Sequence, residues 1–285
     1  MRLLLLSEGF EGVGEQNRKP MCNALLQPME DRMEKRPLKL DAPNRYGSHR
    51  LLLKISVRGV EWAHGKILIF SVPMKVVAVN GSPKENGNTA QALKILLGEV
   101  QKKGMDTELV TIGNKMIHGC IGCGKCREIQ NGGCVAFPND AVNELMPKLI
   151  AADAIVLGSP TYFAGINGTM KSFLDRVFYV SLGNGGLFRL KFGSAIVVLR
   201  RGGGTAAFDE LNKYFQIAEM TIASGCYWTA VHGRTPGELN QDLEGLRVLR
   251  VHGRNLAYLL QLAEYGKGHV SLPEREEPVS TNFVR

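Results

Sequence analysis

From Met74 onward the sequence predicts an α/β fold, a doubly wound five-stranded parallel sheet with helices on both faces. Three features carry that expectation. Short apolar runs end in Gly, Ser and Pro, amphipathic helical segments lie between them, and the two kinds of segment alternate.

The elements follow in order. Val76–Asn80 is the first strand, and its Val76–Val79 is a short apolar run of the kind buried on both faces. Thr89–Lys103 is a helix with Ala92, Leu93, Leu96, Leu97 and Val100 on one side, closed by Gly104. Thr107–Ile112 is the second strand, and a cysteine-rich loop follows at 118–136. Asp140–Ala151 is helical, with Pro147 a candidate kink. Ala154–Leu157 is the third strand, ending in Gly158-Ser159-Pro160, and Thr169–Val180 is the third helix. Ser194–Leu199, Ala206–Glu219 and a fifth strand region at Thr221–Ala223 and Tyr227–Val231 lead to a long closing helix, Asp242–Tyr265. The domain is expected to span 74–270, with 271–285 a polar tail.

Residues 1–73 read differently. Pro20, Pro28, Pro37 and Pro43 interrupt the segment 11–50, and its periodic patterns are short. The expectation is a disordered or dispensable extension, or a mispredicted start with Met74 the natural one; the alternative is a genuine targeting or regulatory arm. Leu3–Leu6 is too short for a secretory apolar region, and no run approaches the ~18 residues of a membrane span. The net charge of +8 divides evenly, 12 Lys/Arg against 8 Asp/Glu in 1–73 and 23 against 19 thereafter. With no basic stripe, neither nucleic acid nor membrane is an expected partner. Four of the six cysteines fall between 120 and 134, which reads as metal or redox chemistry in a reducing cytoplasm rather than a disulfide framework.

In a doubly wound sheet of flavodoxin-like strand order, the ligand lies beyond the carboxyl ends of the first and third strands, and FMN is the usual occupant. The loop after Asn80 reads Gly-Ser-Pro-Lys-Glu-Asn-Gly-Asn-Thr and enters a helix directly. Free N–H groups and the positive helix end suit a phosphate there, with Ser82, Asn88 and Thr89 adding side-chain donors and Ala90 lying in the same first turn. The alternative is an ordinary strand–helix turn capped by Asn88 or Thr89. The third strand runs into Pro160, Thr161, Tyr162 and Phe163, whose aromatics either lie against a flat ring or pack the sheet end. Arg200 and Gly202, after the fourth strand, reach the same rim; Arg200 either stabilises an anionic reduced ring or is solvated.

Cys120, Cys123, Cys126 and Cys134 form the pattern C-x2-C-x2-C-x7-C. Three thiolates at spacings of three wrap three corners of a cubane, and a fourth closes it. Zinc prefers two separated pairs, and free or redox-active thiols are a third reading. His118 reads as a surface residue, and Cys226, among apolar neighbours, as a buried inert thiol.

Gly81–Thr89, the four cysteines, Ala152–Phe163, Met170–Arg176 and Arg200–Gly203 together resemble the NADPH-dependent FMN reductase superfamily, and within it the iron–sulfur flavoproteins. The resemblance covers about Met74 to Tyr265. It implies FMN bound by Ser82, Asn88 and Thr89 at the phosphate and by Pro160, Thr161, Tyr162 and Phe163 at the ring. It also implies a [4Fe-4S] cluster on the four cysteines, and a homodimer or homotetramer in which one subunit's cluster lies near a neighbour's flavin. The implied activity is electron transfer from a ferredoxin-type donor, or from NAD(P)H as co-substrate, to a small-molecule or protein acceptor. The alternatives are an NAD(P)H-dependent flavin or quinone reductase with structural thiols, and a non-catalytic carrier or thiol redox sensor.

Overall fold

A computed structural model describes residues 60–63, 66–69, 73–277, 279 and 281. Most of the expected extension at 1–73 therefore lies outside the described residues. Within it, β1 (Val60–Ala63) and β2 (Lys66–Ile69) pair as an antiparallel hairpin.

The main sheet is built from β3 (Lys75–Asn80), β4 (Asp106–Thr111), β5 (Ala154–Tyr162), β7 (Phe192–Leu199), β8 (Thr221–Ile222) and β9 (Ala230–His232). Its order is β4-β3-β5-β7, with β8 and β9 sharing the far edge, and these pairings are all parallel. β8 pairs with Phe192 and Gly193, and β9 with Val197–Leu199, so the fifth position is one strand in two pieces. This is the flavodoxin-like order, with its switch point between β3 and β5.

The apolar runs of the central strands feed two cores. Val77 and Val79, Ile155 and Leu157, and Ala195 and Val197 face one. Val76 and Ala78, Ala154 and Val156, and Ile196 and Val198 face the other. The period of two sends alternate side chains to opposite faces, which is why the runs Val76–Val79, Ala154–Leu157 and Ala195–Val198 are apolar throughout. Helices α3 (Ala141–Ala151), α4 (Gly168–Gly183) and α5 (Gly204–Ile217) cover the first face, filling it with Phe173, Phe178 and Phe215. Helices α1 (Asn88–Gln101) and α6 (Leu243–Gly266) cover the second, and Gly253 lets them meet closely, since a Cβ there would press on Leu96 O. Pro147 lies inside α3.

Three elements depart from expectation. β5 runs five residues beyond Leu157 and turns back through β6 (Gly165–Ile166). A short helix, α2 (Lys125–Ile129), forms within the cysteine loop. The start of the polar tail is tied down, with Arg275 Nη1 donating to Gly185 O at 2.6 Å and Arg189 Nη2 to Pro273 O at 3.1 Å. Among the described residues no helix is long and apolar enough to cross a membrane.

His252 of α6 is buried and joins α6 to the sheet. Its ring nitrogens lie 2.6 Å from Ser194 Oγ and 2.8 Å from Thr229 Oγ1, and Nε2 lies 2.9 Å from Ala223 O. Burial pushes its pKa down to about 4, so the folded protein holds a neutral imidazole. The stability this contributes is complete above the unfolded histidine value near ~6.5 and is lost as pH falls toward 4. Chemical denaturation of wild type and His252→Gln between pH 7 and 4 checks this. Wild type should lose up to about 1.4 kcal/mol more per pH unit than the variant, and parallel profiles would contradict it.

Candidate functional site

The carboxyl end of β3 shapes a loop built for an anion. Asn80 is buried, and its Oδ1 accepts from Ser82 N at 3.0 Å while its Nδ2 donates to Thr111 Oγ1 at 3.2 Å. Gly81 N donates to Gly158 O at 2.8 Å, fastening the loop to β5. Ser82 Oγ accepts from Lys84 N at 3.2 Å. Helix α1 has Gly87 as its N-cap and no side-chain cap, and its first backward bond runs from Gln91 N to Gly87 O. The N–H groups of Asn88, Thr89 and Ala90 therefore have no partner within the helix and are the donors it offers.

Across the switch point stands the extended β5 with Pro160, Thr161 and Tyr162. These residues, the 82–89 loop, Val198, Leu199 and Arg200 of the β7 end, and Gly233, Arg234 and Pro236 line a cleft open to solvent. The buried Thr161 Oγ1 has no partner. An uncapped helix start, an orphaned hydroxyl and cationic Lys84, Arg200 and Arg234 at the edge fit a phosphorylated ring cofactor.

The structure brings Ser82, Asn88, Thr89, Pro160, Thr161, Tyr162 and Arg200 to this cleft and leaves three expected residues off its wall. Ala90 is wholly buried and offers only its N–H. Phe163 sits with Ala164 at the tip of the β5–β6 hairpin, both at positive φ, and its ring is fully exposed. Gly202 is exposed beyond the rim; the neighbouring Gly203, at φ 83, passes so close beneath the hairpin that a Cβ would overlap Ala164. Asn88 corrects another expectation. Its side chain is committed, with Nδ2 donating to Thr235 O at 2.8 Å and Oδ1 accepting from Gly237 N at 2.9 Å. It braces the 233–237 loop, the part of the wall that sequence reasoning missed.

The four cysteines also converge. Cys120, Cys123, Cys126 and Cys134 line one pocket with Phe137, Arg176 and Tyr179. Gly122 and Gly124, at φ 66 and 73, bracket Cys123 and turn the chain between successive thiols. Cys126 is buried at α2, whereas Cys120 and Cys123 are exposed. Burial pushes the Cys126 thiol pKa up, and the neighbouring thiols add to the rise.

Three polar side chains of other elements hold this loop, and sequence reasoning assigned none of them a role. Asn184 Oδ1 accepts from Gly132 N at 2.8 Å, and its Nδ2 donates to Cys126 O at 3.1 Å. Asn143 Oδ1 accepts from Cys134 N at 2.7 Å, and its Nδ2 donates to Cys134 O at 2.9 Å and Pro138 O at 2.9 Å. Arg176, 1% exposed, pairs with Asp140 and reaches Cys134 and two loop carbonyls. Asn184 is the C-cap of α4, Asn143 and Arg176 lie within α3 and α4, and no local pattern marks their role. His118 is exposed and stacks on Phe137 at 4.6 Å. Cys226, expected to be buried, is exposed, with Arg247 Nη1 3.5 Å from its sulfur.

A flavodoxin-like sheet with an uncapped helix start and a cleft at its switch point defines a class, the FMN-binding α/β proteins. Residues 74–235 match the family of NADPH-dependent FMN reductases, and the chain belongs to that family. It is thus a flavin-dependent oxidoreductase that binds FMN. Its relatives include two iron–sulfur flavoproteins of Methanocaldococcus jannaschii. One is 33% identical over 66% of this chain and 98% of its own length. The other is 31% identical over 62% and 92%. Among solved structures, a WrbA-like flavodoxin of Agrobacterium tumefaciens aligns with a TM-score of 0.46 and 16% identity, over 67% of this chain and 99% of that one.

Gly113 tests the anion loop. It packs against the loop backbone, and a Cβ there would overlap Gly81 O and the Ser82 carbonyl. Gly113→Ala should weaken FMN binding at least about tenfold, since a ~1 Å displacement of such donors costs more than 1.4 kcal/mol, with far-UV dichroism unchanged. Flavin-fluorescence titration checks it, and wild-type affinity would show that the loop does not hold the phosphate.

Proposed function

We propose that this protein is an FMN-dependent electron-transfer oxidoreductase of the iron–sulfur flavoprotein type, with a [4Fe-4S] cluster on Cys120, Cys123, Cys126 and Cys134. The observation that carries the proposal is the convergence of all four thiols on one pocket of the chain that also bears the FMN cleft. Among the described residues no three His, Cys, Asp or Glu are grouped closely enough to hold a single metal ion. A cubane asks for something wider, because each corner takes its own thiolate. The names of the curated relatives support the same reading.

FMN, when bound, exchanges one or two electrons, which lets it connect a one-electron centre to a two-electron acceptor. The protein supplies the rest. The N–H groups of Asn88, Thr89 and Ala90 hold the phosphate with Ser82. Pro160, Thr161 and Tyr162 flank the ring, and Arg200 opposes negative charge that builds there. The proposed donor is of ferredoxin type, the acceptor is small, and the assembly is a homodimer or homotetramer. Phe163 and the Tyr227–Trp228 pair are exposed aromatics of the kind such contacts cover.

The second reading, an NAD(P)H-dependent FMN or quinone reductase without a cluster, is favoured by the family match itself. Anaerobic visible spectra with iron, sulfide and flavin analysis decide between them. The proposal expects about four irons and one FMN per chain, as a single cubane requires, and slow bleaching by NADPH. Iron-free flavin bands that NADPH bleaches within the mixing time would establish the second reading. Cys123→Ser should lose the iron absorbance and keep FMN, because the two sites use separate loops; joint loss would contradict that separation.

A further inference from the structure

Cys134 stands apart from the other three thiols. They follow one another at intervals of three residues, whereas Cys134 comes eight residues after Cys126, in a stretch without regular structure. It is nonetheless held from both ends. Asn143 takes its backbone N–H and carbonyl together. The guanidinium of Arg176 takes its thiol, with Nε donating to Cys134 Sγ at 3.3 Å.

The same guanidinium is otherwise fully engaged. Nη1 and Nη2 each bond one oxygen of Asp140, the second at 3.2 Å, and they donate to His118 O at 3.4 Å and Phe137 O at 3.1 Å. The Phe137 ring covers the cation at 4.9 Å. Asp140 is fixed in turn as the N-cap of α3, accepting from Val142 N. Arg176 thus cannot swing away, and its Nε–H has one place to point. A buried cation so fully bonded to a loop does more than stabilise α4. It sets the position of the fourth thiol and the charge of its surroundings.

We propose that Arg176 is the positioning residue for Cys134 and that its Nε–H···S bond biases the cysteine pocket toward the more reduced state. This rests on the cluster reading above. Adding one electron to a metal site there adds one negative charge and moves no proton or bond. An N–H aimed at a ligand sulfur, with a cation behind it, favours the more negative form, and such hydrogen bonds are among the determinants of iron–sulfur potentials. Asp140 offsets part of that cation, so the pair sets the balance from opposite sides.

The test is a redox titration of full-length, iron-loaded protein, followed by optical and electron paramagnetic resonance spectra, with iron and FMN counted in every sample. Arg176→Lys keeps a cation beside Asp140 but removes the Nε–H that the guanidinium plane aims at Cys134. Its midpoint should fall by about a tenfold change in the reduction equilibrium, ~59 mV for one electron. Asp140→Asn leaves every guanidinium donor in place and removes the opposing charge, so its midpoint should rise. A structural role alone would leave both midpoints in place or move them the same way, and either result overturns the proposal. If Arg176→Lys does not take up iron, Asp140→Asn carries the test alone: a rise upholds the proposal, and no change or a fall overturns it. Wild type without iron would instead remove the cluster reading, a failure visible before any variant is made.

Discussion

The ion pair between Arg176 and Asp140 is the constraint on which the cysteine-loop half of this protein depends. From Gly113 to Asp140 the chain forms only the five-residue helix α2, so its shape comes from what it is tied to. A guanidinium buried to 1% exposure must be paired and bonded, because an uncompensated charge there would cost about 3–5 kcal/mol. The partners that satisfy it are Asp140 and groups of the cysteine loop. Satisfying the charge and shaping the loop are therefore one event. Asn143 and Asn184 complete the frame from α3 and from the C-cap of α4.

Helix α4 links this frame to the FMN cleft. Its N-cap, Asn167, donates to Gly81 O at 2.6 Å, and Met170 packs where a Gly81 side chain would lie. Nine residues on, Arg176 enters the cysteine pocket. At 1.5 Å rise per residue the two contacts lie roughly 13 Å apart along one rigid helix. A helix covering the sheet thus also spaces the anion loop from the thiols, and the apolar residues between, Phe173 and Leu174, seat it on the core.

The sheet was legible because its strands are buried on both faces and read as uninterrupted apolar runs; Val76–Val79 and Ala154–Leu157 needed no context. The anion loop was legible for a similar reason, since Gly, Ser and Asn before an uncapped helix have local meaning. What sequence could not show depends on distant partners. Asn88 looks like a phosphate ligand until the 233–237 loop claims its amide. Phe163 looks like a ring contact until the hairpin turn carries it outward, and β5 runs past Leu157 because β6 returns to pair with it. Cys226 has apolar neighbours in sequence but lies on the surface in space. Arg176 carries no local sign of its role, because its partners lie 36 to 58 residues away in the chain.

The proposed function requires one chain to hold FMN in its switch-point cleft and a four-iron cluster on four thiols in a separate pocket. Iron K-edge X-ray absorption on anaerobically purified protein tests it most directly, with bound FMN measured on the same sample. The account predicts a sulfur shell together with an iron–iron shell, both lost in Cys123→Ser while FMN remains. A sulfur shell without iron–iron scattering, or zinc in place of iron, would contradict it.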